Sequence, residues 1–438
     1  MSPMTDTEER LTTTLRYVAD LPPGNVEVAP NARPRTAGPS RYALVPRRWL
    51  VFVGAVVVSV CLLVAGLVIA GLPGQGTAPG WELISTLNPA WEAVPGSLSL
   101  QVGFSLTCTG ATTCFASGPN QAVYITRDTG HIWHQVALPG QPISGVQCAS
   151  PNNCSVLTFR ESAPPKSDWS WFMSETSDGG RTWSSTRAPS AINVAVLMPS
   201  LATGVPSRYG WASVSCATMA SCVIVAESVR SPVPSAALFT TDAGRTWAVA
   251  NLPHRFVPSQ IQCFARGQCL STGFDSTTQT IAVAFSANGG STWSAARVPD
   301  LSGAILSVSC SSLSYCMAVP ISFTAAPTTS SVLVSTDGGH SWSLQAGPAL
   351  PAGGTLWKLS CPVRANCWAM GDNWPVQVAF GGGPDGAFAA ATTDTRGPWR
   401  SATLPPAVQG TEAVSCPSIG TCFALAWTTT LVLLEYRT

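Results

Sequence analysis

Charge is scarce in this chain of 438 residues: Asp, Glu, Lys and Arg make up 10% of it and nearly cancel to a formal net charge of +1. A protein that grips nucleic acid or an acidic surface through bulk electrostatics needs a basic excess, so neither partner is expected. Lysine is scarcer still, with only Lys166 and Lys358 among 23 basic residues, an arginine bias that fits a GC-rich bacterial genome. Histidine occurs four times, at scattered positions, and the pair His131/His134 flanks Trp133 without a metal-binding pattern. No G-x-S-x-G string and no cofactor motif occur, so neither a cofactor nor a metal is expected. Long helical periodicity is also missing, because 38 Gly and 36 Pro cut the chain into short segments that suit strands and turns.

Cysteine, by contrast, is plentiful. Cys61 lies in an apolar run, and the other fourteen form seven pairs of identical C-x5-C spacing: Cys108/Cys114, Cys148/Cys154, Cys216/Cys222, Cys263/Cys269, Cys310/Cys316, Cys361/Cys367 and Cys416/Cys422. Zinc sites favour closer cysteine spacing with histidine partners, which this chain lacks. Seven local disulfides in an oxidising compartment are therefore predicted. Each closes a loop of seven residues, which in the chain-entropy picture stabilises the fold by about 2.4 kcal/mol.

Residues 49–72 (WLVFVGAVVVSVCLLVAGLVIAGL) contain no charge. At about 1.5 Å per residue they match a bilayer core of about 30 Å. Arg41, Arg47 and Arg48 precede this run, and no Lys or Arg follows until Arg127. The positive-inside rule thus predicts a single-pass plasma-membrane anchor with a cytoplasmic N-terminus and an extracytoplasmic C-terminal part. Residues 1–48 read as a largely disordered cytoplasmic tail. A short helix is expected near 6–20, where Thr5 and Glu8 have capping-box spacing before Leu11, Leu15 and Val18. Residues 73–82 read as a linker.

Beyond residue 100 a unit recurs. Its clearest copy, Val308 to Pro348, reads as a strand ending at Cys310, a second strand from Cys316, a third at Val332–Val334 and a fourth after Trp342. Between the third and fourth lies Ser335–Trp342 (STDGGHSW), which recurs as TSDGGRTW at 176–183, TTDAGRTW at 240–247 and SANGGSTW at 286–293. Weaker copies are TRDTGHIW at 126–133 and TTDTRGPW at 392–399, where Gly397 is displaced by one position. Such a segment makes a tight turn: the carboxylate or amide accepts bonds inside the turn, glycine permits positive φ, and Trp packs on the blade. The turn residues are Asp128 and Trp133, Asp178 and Trp183, Asp242 and Trp247, Asn288 and Trp293, Asp337 and Trp342, and Asp394 and Trp399. The motif resembles the Asp-box of the BNR repeat family.

Seven cysteine pairs and seven tryptophans at the repeat position, counting Trp91, indicate an all-β, seven-bladed β-propeller of four-stranded blades over residues 83–438. The last copy ends after its third strand at 430–435, so a strand near Trp91 is expected to complete it and close the ring. The cysteine loops and Asp-boxes then share one face. The opposite face carries loops of variable length, where binding residues on a rigid scaffold concentrate. Three insertions there mix aromatic and polar groups: Arg160, Asp168, Trp169 and Trp171; Arg208, Tyr209 and Trp211; and Asp372, Asn373 and Trp374. These are the candidate ligand-binding residues.

The resemblance to BNR proteins includes sialidases, which carry an F/Y-R-I-P signature. No such string exists here, and no close acidic pair of the kind glycoside hydrolysis needs is evident from the sequence. The chain is also similar in form to photosystem II assembly factor-like and sortilin-like propellers, which are binding or assembly proteins. The expectation is a membrane-anchored, extracytoplasmic, non-catalytic binding or scaffold module for a protein or a cell-envelope glycan. The alternatives are a divergent sialidase-like glycoside hydrolase and a transmembrane signalling or assembly factor.

Overall fold

The computed structural model describes residues 80–87, 104–117, 122–142, 145–161, 169–187, 212–226, 235–312, 314–322, 330–351, 354–372, 386–394 and 398–437. The tail, the apolar run 49–72 and Trp91 lie outside the described residues. The chain divides into two compact units, Met1–Gln75 and Gly76–Thr438, and every described residue belongs to the second. Among the described residues no helix is long and apolar enough to cross a membrane.

Seven antiparallel sheets succeed one another along the chain. Blade 1 consists of Ser105–Cys108, Cys114–Ser117, Val123–Thr126 and His134–Val136, hydrogen-bonded in chain order. Blades 3 to 6 repeat this order, with first strands Ala212–Cys216, Phe256–Phe264, Ala304–Ser312 and Thr355–Val363. In blade 2 the first strand is split into Gln141–Pro142 and Gln147–Cys148, both paired with Cys154–Glu161. Second strands such as Cys222–Ala226 (CVIVA) are apolar throughout because neighbouring blades cover both of their faces.

Blade 7 joins the two ends of the unit. Gly410–Ser418, Thr421–Trp427 and Leu431–Arg437 are completed by Gly80–Thr86, which pairs with the last strand from Gly80↔Arg437 to Thr86↔Val432. The closing strand therefore begins inside the segment read as linker and lies upstream of Trp91. Its tryptophan is Trp81, which is buried and meets Trp368 of blade 6 edge-on, ring centroids 5.2 Å apart. Closure gives blade 7 four strands, as in the other blades.

All seven C-x5-C pairs are disulfides, and each joins the first and second strands of one blade. They are Cys108–Cys114, Cys148–Cys154, Cys216–Cys222, Cys263–Cys269, Cys310–Cys316, Cys361–Cys367 and Cys416–Cys422, in blades 1 to 7. The strand limits around them differ from the sequence reading in blades 4 to 7. There the first strand runs past its cysteine instead of ending on it. The second strand starts one residue before its cysteine, at Gln268, Tyr315, Asn366 and Thr421, so Cys269, Cys316, Cys367 and Cys422 are each its second residue. The hairpin pairs further toward its tip than the five-residue spacing suggests. In blade 4 Cys263 and Cys269 stand directly opposite one another, with Phe264 and Gln268 paired beyond them. In blades 6 and 7 the register shifts at the first cysteine, between Ser360 and Val363 and between Ser415 and Ser418, so Cys367 and Cys422 face an irregular stretch of the first strand.

The turns between third and fourth strands lie at the same end as the disulfides. In blade 3, Asp242 Oδ1 accepts from Thr240 Oγ1 (2.8 Å) and Thr246 N (2.8 Å). Asn288 Oδ1 takes the same two bonds in blade 4, from Ser286 Oγ at 3.0 Å and Thr292 N at 3.0 Å. Blade 6 departs from the pattern: Thr392 Oγ1 bonds to the main-chain oxygen of Asp394 instead.

These turns also hold one blade to the blade before it. Trp183 of blade 2 packs among Phe115, Val123 and Ile125 of blade 1. Trp342 of blade 5 packs with Leu270, Ile281 and Val283 of blade 4. A Cβ on Gly180 would stand 2.7 Å from both Ile125 and Phe115, so this glycine supplies close contact between blades as well as its positive φ.

A girdle of hydrogen bonds ties the first strands together at the centre. At five of the seven junctions the residue before the first cysteine of one blade accepts from the main-chain N–H of the next blade's first cysteine. Ser215 accepts from Cys263 (2.8 Å), Gln262 from Cys310 (3.1 Å), Ser309 from Cys361 (2.9 Å), Ser360 from Cys416 (2.9 Å) and Ser415 from Cys108 (2.8 Å). The last of these crosses the ring-closing junction. A second tier lies two residues earlier, where Ser213 accepts from Ile261 N, Gln260 from Val308 N and Ser307 from Leu359 N.

Candidate functional site

Seven copies of one unit provide an internal comparison: a residue that breaks a pattern kept by its counterparts needs its own explanation. The second tier of the girdle is made by blades 3, 4 and 5, and of the seven copies only blade 6 carries a charge at that position. Three residues before the first cysteine, the copies have Ser105, Gly145, Ser213, Gln260, Ser307, Lys358 and Ala413. Lys358 has no acceptor with which to continue the tier. Among the described residues no hydrogen bond or ion pair engages its ammonium.

The residue before it is also displaced. In blades 4 to 7 the first strand carries a bulge four residues before its first cysteine, at Ser259, Leu306, Trp357 and Glu412. A bulge adds an unpaired residue and re-aims its side chain. Trp357 turns its indole N–H to Asp372 Oδ1 at 2.7 Å, across to the end of the second strand of the same blade. In blade 7 the roles are exchanged, and Trp427 at the end of the second strand donates to Glu412 Oε1 at 2.8 Å. Asp372 reaches the first strand of blade 7, its Oδ2 lying 3.5 Å from where a Cβ on Gly410 would stand, an ordinary contact distance. Phe104 of blade 1 packs edge-on to Trp427.

Trp357, Lys358, Asp372, Glu412 and Trp427 thus surround the inner mouth of the variable face between blades 6 and 7. All five are half-buried. Burial lowers the pKa of the Lys358 ammonium, and the Glu412 carboxylate opposes that shift. Burial raises the pKa of Glu412; the Trp427 bond and Lys358 oppose the rise, while Asp372 adds to it. The mouth offers an unpartnered cationic donor, two carboxylates and two indoles, a combination suited to holding a polar ligand that carries an anionic or hydrogen-bonding group.

Of the residues singled out in the sequence, Asp372 belongs to this cluster. Arg160 lies on the same face in blade 2 and is exposed, with its guanidinium 5.4 Å from the Phe172 ring centroid. Trp169 and Trp171 begin the third strand of blade 2, paired with Glu161 and Phe159. Asp168, Arg208, Tyr209, Trp211, Asn373 and Trp374 lie outside the described residues. Blades 7 and 1 separate Arg160 from Asp372, so these two do not form one site. Two carboxylates that are dispersed in the sequence act on one another's surroundings here: Asp372, forty positions before Glu412, adds to the rise in the Glu412 pKa. Lys358 is legible once the copies are aligned on their cysteines, whereas the bulges leave no mark in the sequence.

No protein-family model matches the chain, and no curated protein is detectably similar to it. Among solved structures it is similar to YCF48 bound to a D1 peptide, with TM-score 0.51 and 14% identity over 84% of this chain and 100% of that one. It is also similar to U3-55K (TM-score 0.50, 8% identity, 82% and 100% covered). Hydrazine synthase of Kuenenia stuttgartiensis matches too, with TM-score 0.51 and 11% identity over 79% of this chain and 99% of that one. One of the three is bound to a peptide and another is a synthase, so their common fold does not choose between binding and catalysis. What they share with this chain is the propeller fold; this chain is a seven-bladed β-propeller of four-stranded blades, and its own blades each carry a disulfide.

Proposed function

We propose that this propeller is a non-catalytic binding module that captures a segment of a partner protein at the mouth formed by Trp357, Lys358, Asp372, Glu412 and Trp427. The observation that carries this reading is Lys358. It puts a charge at the position where blades 3, 4 and 5 carry a girdle acceptor, and among the described residues no hydrogen bond engages that ammonium beside two carboxylates. The six counterparts are Ser, Gln, Gly or Ala, none of them charged. We further read the repeats as BNR/Asp-box units and residues 49–72 as a plasma-membrane anchor that holds the propeller outside the cytoplasm, in keeping with a disulfide in each blade.

The test is affinity capture from envelope extracts with the full chain and its Lys358→Gln and Asp372→Asn variants. A partner held by the parent and lost by both variants supports the reading. Equal capture by all three removes the mouth from consideration. A cell-envelope glycan is the other ligand that the indoles and carboxylates suit, and it is distinguished by retention on purified envelope polysaccharide. A second reading, glycoside hydrolysis, draws on the Asp372/Glu412 pair and the raised pKa of Glu412. Turnover of fluorogenic glycosides that is abolished in Glu412→Gln would establish it in place of binding.

A further inference from the structure

The repeat pattern breaks a second time, in blade 2, and both of its departures meet at one disulfide. The residue after the second cysteine is large and apolar in six blades: Phe115, Val223, Leu270, Met317, Trp368 and Phe423. In blade 2 it is Ser155. The residue paired with it across the sheet is Ile125, Phe239, Phe285, Val334 or Ala391 in five blades. Blade 2 has Glu175 there. The one counterpart, Glu435 in blade 7, has its carboxylate neutralised by Arg437 at 2.6 Å.

Ser155 and Glu175 are buried and face the neighbouring blade. Ser155 Oγ lies 2.9 Å from Cys216 Sγ, and since a disulfide sulfur has no hydrogen, the hydroxyl donates. Glu175 is 8% exposed, and its Oε1 is buried without a hydrogen-bond partner. A Glu175 carboxylate oxygen and the sulfurs of Cys216 and Cys222 lie within 4.8 Å of one another. Five other blades fill these positions with apolar contact alone. Here an orphaned acceptor sits against a bond whose reduction creates two S–H donors.

We propose that Cys216–Cys222 is a thiol–disulfide exchange site, reduced by a dithiol in preference to the other six disulfides. The dithiol's thiolate attacks Sγ of Cys216, the more exposed residue of the pair at 7% against 0% for Cys222. A mixed disulfide forms at Cys216, and Cys222 leaves as a thiolate that takes the proton of the Glu175 carboxyl. The reductant's second sulfur, as its thiolate, then attacks the first. This forms the reductant's own disulfide and expels the Cys216 thiolate, which Ser155 stabilises by its hydrogen bond. Solvent returns one proton to Cys216 and one to Glu175, so two electrons pass from the dithiol to the protein. Burial raises the pKa of Glu175, which favours the protonated form that the first step uses. In the product, a cysteine S–H satisfies the oxygen left orphaned in the disulfide form.

The test equilibrates the full chain in graded ratios of reduced to oxidised dithiothreitol, traps thiols by alkylation and maps each pair by mass spectrometry. Cys216 and Cys222 are expected to alkylate at a ratio about tenfold lower than the other pairs, a shift of about 30 mV. The Ser155→Val/Glu175→Val double variant, which adopts residues of blades 3 and 5, is expected to bring the pair into line with the rest. Should that variant fail to fold, Ser155→Ala and Glu175→Gln serve in its place, with near-ultraviolet circular dichroism reporting the fold. Reduction of all seven pairs at one ratio overturns the proposal. So does early reduction of Cys216–Cys222 that persists in the folded variants, because the polar pair would then have no part in it.

Discussion

A methyl group at Gly180 measures how strongly the turns hold blade to blade. Gly180 and Gly244 occupy the same turn position in blades 2 and 3, with φ of +81° and +78°. Placing alanine in the left-handed region costs about 1–2 kcal/mol at either site. The surroundings differ. At Gly180 the new Cβ would lie 2.7 Å from Ile125 Cδ1 and from Phe115 Cε1, and both residues are fully packed in the preceding blade. At Gly244 the nearest atom is Met173 Cβ at 3.4 Å, close to ordinary contact. Overpacking of that kind typically costs a further ~1–3 kcal/mol. Gly180→Ala is therefore expected to lose about 2–5 kcal/mol and Gly244→Ala about 1–2 kcal/mol. Urea unfolding of both variants, disulfides intact, reads the difference at a common denaturant slope. Adding Phe115→Leu to Gly180→Ala should recover part of the loss through the relieved clash. Equal losses at the two glycines, or strict additivity with Phe115→Leu, would refute the claim that the turn is clamped by the preceding blade.

Three further predictions concern charge. Asp242 is held down to about 2 by the Thr246 side-chain and main-chain bonds, so its contribution is complete above the usual carboxylate range near pH 4 and is lost as pH falls toward 2. Asp242→Asn, which reproduces Asn288 of blade 4, should flatten the acid limb of a thermal-stability profile without altering the neutral-pH fold. Lys358→Gln is expected to keep or raise the thermal midpoint by restoring an acceptor for Val414 N–H, as Gln260 does for Val308, while it loses partner capture; a lowered midpoint would argue that Lys358 is structural. For Glu412 the folded pKa is raised, so its ionisation opposes folding as pH rises through that value. Glu412→Gln should therefore gain stability at neutral and alkaline pH relative to the parent, and an unchanged pH profile would contradict the burial assigned to it.

Much of the architecture was legible because the chain repeats itself. Identical cysteine spacing set the phase of every blade, and strand order placed the cysteine loops and the turns between third and fourth strands at one end. The spacing did not show how far each hairpin pairs: Cys269, Cys367 and Cys422 lie one residue inside their strands, a matter of register that the residues between the cysteines do not encode. Closure by an N-terminal strand was also legible, although Trp91 pointed to the wrong segment. Gly80–Thr86 carries a tryptophan without the turn that precedes it elsewhere, so no motif marked it. Turn chemistry was readable from local sequence. The packing of Trp183 and Gly180 on the preceding blade was not, because contact between blades leaves no periodic signature. The candidate site divided in the same way. Asp372 was visible as a polar residue beside an insertion. Trp357 and Glu412 owe their roles to bulges, which add one residue to a strand without altering its composition. Lys358, Ser155 and Glu175 become conspicuous only when the seven copies are compared position by position.

Because the chain holds only two lysines, amine-selective labelling followed by mass spectrometry can report on Lys358 alone, with Lys166 as an internal reference. Labelling the full chain before and after incubation with the partner proposed above is the direct test of the mouth between blades 6 and 7. Protection of Lys358 on capture, at unchanged labelling of Lys166, is the predicted result. Equal modification of Lys358 in the free and partner-bound protein would show that the mouth stays open and that recognition takes place elsewhere on the propeller.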